Sequence, residues 1–210
     1  AGMYQDLSAP KAASANATPL LISLPTPEGN FIDFYLTETS VVSPEVAHLF
    51  TVKTFKGYAK SARQTTIRCD ISPTGFHAVV FNGGAAYSIE PASRSNPSAH
   101  IVYYKSDFKA DPFKCGVTGE HHKHGQKPAS DDPVKTPTNL RTYRLAIIAD
   151  ATFRTQFGGM PYNATNVLNA FAAGLNMINE VYERDLGVTF TLVSNTACAN
   201  AVLADHTDID

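Results

Sequence analysis

The chain has 210 residues, 43% hydrophobic and 17% charged, a balance that describes one large globular domain or two smaller ones and excludes a disordered chain. Its formal net charge of −2 gives no electrostatic reason to expect nucleic acid or an acidic membrane as partner. No apolar run approaches the length of a bilayer span; LLISL at 20–24 is far too short.

The N-terminal AGMYQDLSAPKAASANATP has one Lys and no apolar core, so it does not read as a signal peptide; a secreted protein would reach this form after losing its leader. Low charge with much Thr, Ser and Asn suits secretion. Three cysteines, Cys69, Cys115 and Cys198, fit no closed disulfide set, so at least one thiol is free or pairs outside the chain. NAT occurs at Asn16 and Asn163, a glycan acceptor pattern in a eukaryotic secretory protein, although ordinary polar loop residues are the simpler reading.

In chain order, the first half reads as β-structure. LLISL (20–24) and FIDFYL (31–36) flank PTPEGN, a segment of turn formers. A short helix is expected near SPEVAHLF, begun at Ser43 or Pro44. TTIRCDI alternates, with Ile67, Cys69 and Ile71 on one face and Thr66, Arg68 and Asp70 on the other. GFHAVVF and GAAYSIE sit either side of Asn82-Gly83, a two-residue hairpin turn. HIVYY (100–104) is another strand, and the antiparallel part is expected to end near residue 110.

A break follows. GQKPASDDPVKTPTN (125–139) holds Pro128, Pro133 and Pro137 and almost no apolar side chain, so it reads as an exposed linker open to proteolytic nicking. RTYRLAIIAD (141–150) then reads as a strand buried on both faces. RTQFGGMPYNAT reads as a loop. A helix is predicted over 164–185, with Leu168, Phe171, Leu175, Ile178 and Tyr182 in one stripe that Val167, Gly174 and Val181 widen. Asn163 or Thr165 would cap it and Gly187 would end it. VTFTLV (188–193) completes a βαβ unit with parallel strands. Such a unit does not enclose a core by itself, so the domain that starts near residue 140 is expected to continue past Asp210.

The segment DPFKCGVTGEHHKHG places Cys115, His121, His122 and His124 close together. Its KCGVTG (114–119) is similar to the PKxCGVT cysteine switch of reprolysins, the metzincin family of snake-venom metalloproteinases and ADAM proteases. YRLAIIADATF resembles that family's first strand. NVLNAFAAGLNMINEVYERDLGVTFTLV resembles its first helix and second strand. The β-rich first part resembles the propeptides of bacterial secreted members. The family carries zinc on HExxHxxGxxH, whereas none of the seven histidines here precedes Glu; by family order the motif would lie beyond Asp210. The family's acidic calcium ligand would fall near Arg144, which leaves calcium uncertain, and Phe113 and Lys114 stand where Arg or Pro usually precedes the switch cysteine.

The resemblance implies an α+β chain: a mainly antiparallel β propeptide (1–124), a proline-rich linker and cleavage region (125–139), and the first βαβ unit of a metzincin α/β catalytic domain (140–210). It implies a latent secreted zinc metalloendopeptidase acting on protein substrates, with Cys115 as inhibitory zinc ligand, no catalytic residue in this chain, and the rest of the catalytic domain as partner, continuous or nicked. The chemistry agrees, because a thiolate in the fourth zinc position displaces the water that hydrolysis needs. A Cys69–Cys115 disulfide is the competing expectation for Cys115, while Cys69 on its apolar face reads as a buried thiol. Cys198 either pairs beyond Asp210 or stays free. The His run reads as solvated more readily than as a metal site, and cysteine-protease chemistry at Cys115 lacks an orienting partner. The alternative function is a non-enzymatic secreted β-rich binding or inhibitor module.

Overall fold

The computed structural model describes residues 19–93, 96–109, 139–158 and 163–193. Alternating apolar and polar residues in the first half build seven strands: β1 (Leu20–Pro25), β2 (Phe31–Thr39), β3 (Lys53–Ala59), β4 (Ala62–Ser72), β5 (Gly75–Asn82), β6 (Ala85–Ser93) and β7 (Asn96–Tyr104). Each pairs antiparallel with the next, so the sheet is a meander in chain order. Leu24, Phe34, Ile67, Phe76, Val80 and Ile89 are all buried in one cluster drawn from one face of this sheet. The sheet curls around that cluster. Tyr104 on β7 donates to Glu28 in the β1–β2 turn and meets the Tyr87 ring edge-on at 6.2 Å.

The β5–β6 turn is shifted by one residue from the expected Asn82-Gly83. Asn82 stays in the ladder opposite Ala85, and its Oδ1 accepts from Thr65 Oγ1 at 3.0 Å. Gly83 and Gly84 supply the two positive φ angles, 55° and 98°. Strand β3 was not legible because its lysines and Gly57 blur the alternation. Gly57 is nonetheless required: a Cβ there would lie 2.1 Å from the Tyr35 carbonyl oxygen and 2.8 Å from Leu36. Gly57→Ala is therefore expected to cost about 1–3 kcal/mol through overpacking, read as a lowered urea midpoint at unchanged m-value.

The second half supplies β8 (Arg141–Leu145), α1 (Ala151–Gly158), α2 (Ala164–Leu186) and β9 (Val188–Leu192). Asn163 Oδ1 accepts from the Thr165 amide at 2.9 Å and caps α2; Gly187, at φ 64°, ends it. β8 and β9 are parallel, with Tyr143 opposite Phe190. The other edge of β9 is met by the β2–β3 connection, where Leu192 N donates to Val41 O and Ser43 N donates to Leu192 O. Val41, Val42 and Val46 of that connection share a second apolar cluster with Val167, Phe171 and Leu175 of α2. The chain is thus α+β, mostly antiparallel sheet with two α-helices among the described residues.

Four expectations are corrected. β8 stops at Leu145 and is largely exposed, not buried on both faces, because the described chain covers it on the α2 side only. Part of the expected loop after it is helix α1, where Phe153 stacks on Phe157 and Phe171. The short helix near residue 47 is a single 3-10 turn, Ala47–Leu49. The apolar stripe of α2 does not stay buried along its length: Ile178 is 47% exposed and Tyr182 38%, while Asn176, Asn179 and Glu180 turn inward. The N-terminal half of the stripe is covered by residues of the first half of the chain.

Candidate functional site

Cys115, His121, His122, His124 and Cys198 lie outside the described residues, as does the linker apart from Asn139. What the described residues build is an interface between the outer face of the sheet and α2. On β4, the side opposite Ile67, Cys69 and Ile71 carries Thr66, Arg68 and Asp70, and α2 lies over it. Arg68 Nε donates to Glu180 Oε2 at 2.8 Å, and its terminal nitrogen donates to Glu183 Oε2 at 2.5 Å. Thr66 Oγ1 donates to the other Glu180 oxygen at 2.5 Å, and Thr189 Oγ1 to the other Glu183 oxygen at 2.8 Å. Lys56 Nζ adds a longer contact to Glu183 at 4.0 Å. Two cations face two carboxylates, and all four carboxylate oxygens have donors, so the charges are compensated where they are desolvated.

Three asparagines fix the helix further. Asn169 Oδ1 accepts from the Thr51 and Val52 amides at 3.0 and 3.1 Å, and its Nδ2 donates to Thr51 Oγ1. Asn176 Nδ2 donates to the Cys69 carbonyl at 2.9 Å. Asn179 pairs with both the amide and the carbonyl of Phe190. The signal for this interface was present in the sequence as a second stripe, Asn169, Asn176, Asn179/Glu180 and Glu183, running beside the apolar one at helical spacing.

Beside these contacts is a cavity of about 500 Å³ between β4–β6 and the two helices. Asp70 and His77 line it, with His77 Nδ1 3.1 Å from Asp70 Oδ1. Asp70 is 1% exposed, and its Oδ2 has no hydrogen-bond partner among the described residues. Burial raises the Asp70 carboxyl above its ordinary value, against the opposing pull of His77. Burial works against a charged His77, but the hydrogen bond to Asp70 and the charges of Asp70 and Glu90 outweigh it and raise the imidazole.

Cys69 is a free, fully buried thiol. Burial, helped by the Asp70 charge, pushes it well above the ordinary thiol value, so it is neither a ready nucleophile nor a ready metal ligand. Arg144 is exposed on β8, and its charge is one of the influences that lower the Glu45 carboxyl, after the hydrogen bonds of Ser43 and of the Glu45 backbone. Among the described residues no group of three or more His, Cys, Asp or Glu could hold a metal ion, and no helix is long and apolar enough to cross a membrane. No family model matches the chain, and no solved structure matches it.

Proposed function

We propose that the chain is the propeptide and the first part of the catalytic domain of a secreted, latent zinc metalloendopeptidase of reprolysin type, with Cys115 as the inhibitory thiolate. The observation that carries this reading is the order of parts. A KCGVTG segment and a proline-rich stretch precede a parallel strand–helix–strand unit, β8–α2–β9, in the sequence order that the resemblance calls for. Two further features support it. The β-rich part clasps α2 through a compensated polar interface, as an inhibitory segment must hold what it inhibits. Cys69 is occupied as a core thiol, which leaves Cys115 available as the switch.

On this reading zinc, held by residues outside this sequence, supplies Lewis acidity for hydrolysis of protein substrates. Cys115 competes with water for that metal, at an effective concentration on the order of mM set by its tether. Cutting between Gly125 and Asn139 removes the tether. A second reading, a non-enzymatic secreted β-rich binding or inhibitor module, is favoured by the apolar cluster that the β2–β3 connection shares with α2, which resembles the interior of one unit. The discriminating experiment uses the full-length gene product. Limited proteolysis at 125–139 is expected to release peptidase activity that 1,10-phenanthroline abolishes, with about one zinc per molecule by mass spectrometry. A product with neither zinc nor activity after the cut establishes the second reading instead.

A further inference from the structure

We propose that Asp70 and His77, a cross-strand pair of β4 and β5 facing the helices across the cavity, form an acid-strengthened link that steadies the strand α2 is bound to, so that α2 is held more tightly near pH 5.5 than near pH 8. The inference does not depend on the zymogen reading. It begins with the position of the pair. The carbonyl of the peptide joining Cys69 to Asp70 accepts from Asn176 of α2, and Arg68, two residues earlier, is bound to Glu180 and Glu183. Asp70 therefore sits in the part of β4 that α2 grips, and the cavity it shares with His77 is lined on the other side by α1 and α2.

The groups that face the pair decide the sign. From β5 comes His77 itself; from β6 comes Glu90, a second negative charge. From β3, Thr54 lies opposite Asp70, but its hydroxyl donates to the Thr39 carbonyl. From the helices, Gln156, Asn166 and Asn169 line the cavity, all neutral. Arg68, on the same face of β4, is bound to the two glutamates. Asp70 thus has His77 as its counter-charge, and one of its oxygens has no donor among the described residues. With His77 protonated, a buried carboxylate faces a cation; with His77 neutral, it keeps a hydrogen bond but loses the charge that offsets its desolvation.

Both groups are raised in the folded protein, Asp70 from 3.8 and His77 from 6.5, so the folded state holds both protons more firmly than the unfolded chain. The stabilisation is present below the unfolded values and is lost as pH rises through the folded ones; for His77 that loss lies above pH 6.5. Carboxylates with lowered values, Glu28, Glu45 and Asp185, act in the opposite sense, but only in stronger acid, below about pH 4.5.

The test is amide hydrogen exchange on the intact chain at pH 5.5 and pH 8, corrected for intrinsic rates and read at Ala164–Leu186. Protection of α2 is expected to fall between the two pH values, in the direction set by the raised proton affinity of His77 in the folded chain. His77→Gln, at a half-buried position, should fold and flatten that dependence. Asp70→Asn should flatten it too and protect α2 at pH 8. If Asp70→Asn does not fold, His77→Gln decides alone. Protection that does not change with pH in the wild type, or the same change in His77→Gln, overturns the proposal.

Discussion

Arg68→Ala is expected to destabilise the chain by about 3–5 kcal/mol, because it leaves the largely buried Glu180, and much of Glu183, without their main cation. The Arg68 side chain is 4% exposed and that of Glu180 10%, so water cannot readily replace the lost partner. The effect should appear as a lowered urea midpoint and as early loss of protection in α2. The triple change Arg68→Met, Glu180→Leu, Glu183→Gln separates the cost of an orphaned charge from the worth of the pair. Replacing compensated buried ions by uncharged groups of similar volume leaves no charge stranded, so most of the lost stability should return. Equal destabilisation in the single and triple variants would show that the network itself, and not the stranded carboxylates, holds the helix. A single variant within about 0.5 kcal/mol of wild type would show that α2 is not held by these ions at all.

The same interface marks how far the sequence could be read. Elements with strong local signals were legible: the inward alternation of Ile67, Cys69 and Ile71, the capped helix from Asn163 to Gly187, and the parallel pair β8 and β9. What the sequence does not carry is which second face is dry. Alternation reports only that the face of Arg68 and Asp70 differs from that of Ile67 and Cys69, not that it is buried too. Asn176, Asn179 and Glu180 look like the wet side of α2 for the same reason. Their burial is decided by partners more than 100 residues away for Asn176 and Glu180, and 11 away for Asn179, which no local periodicity encodes. Helix α1 was missed because Thr, Arg and Gln dilute its apolar residues; it is secured by Phe153 and Phe157 stacking toward Phe171.

Cys115→Ala, placed in the full-length gene product, is expected to release peptidase activity before any cut in 125–139, raising it on the order of a hundredfold as the tethered thiolate is lost. Folding should be unaffected if Cys115 is not bonded to the sheet. Cys69→Ala should behave in the opposite way. Its sulfur is fully buried among the apolar residues of the curled sheet, so removing it leaves a small cavity and costs about 1–2 kcal/mol while latency persists. The contrast rests on chemistry as well as place: burial keeps the Cys69 thiol protonated, whereas a zinc-bound cysteine must lose its proton. For that reason acid should weaken inhibition by Cys115, the reverse of its effect on the Asp70–His77 link. Latency that falls with pH while protection of α2 rises would separate the two. If Cys69 and Cys115 were instead a disulfide, breaking it from either end would give the same loss of stability, and peptide mapping would recover the bridged pair. Matching phenotypes, or a zymogen equally silent with and without the Cys115 thiol, would remove the switch.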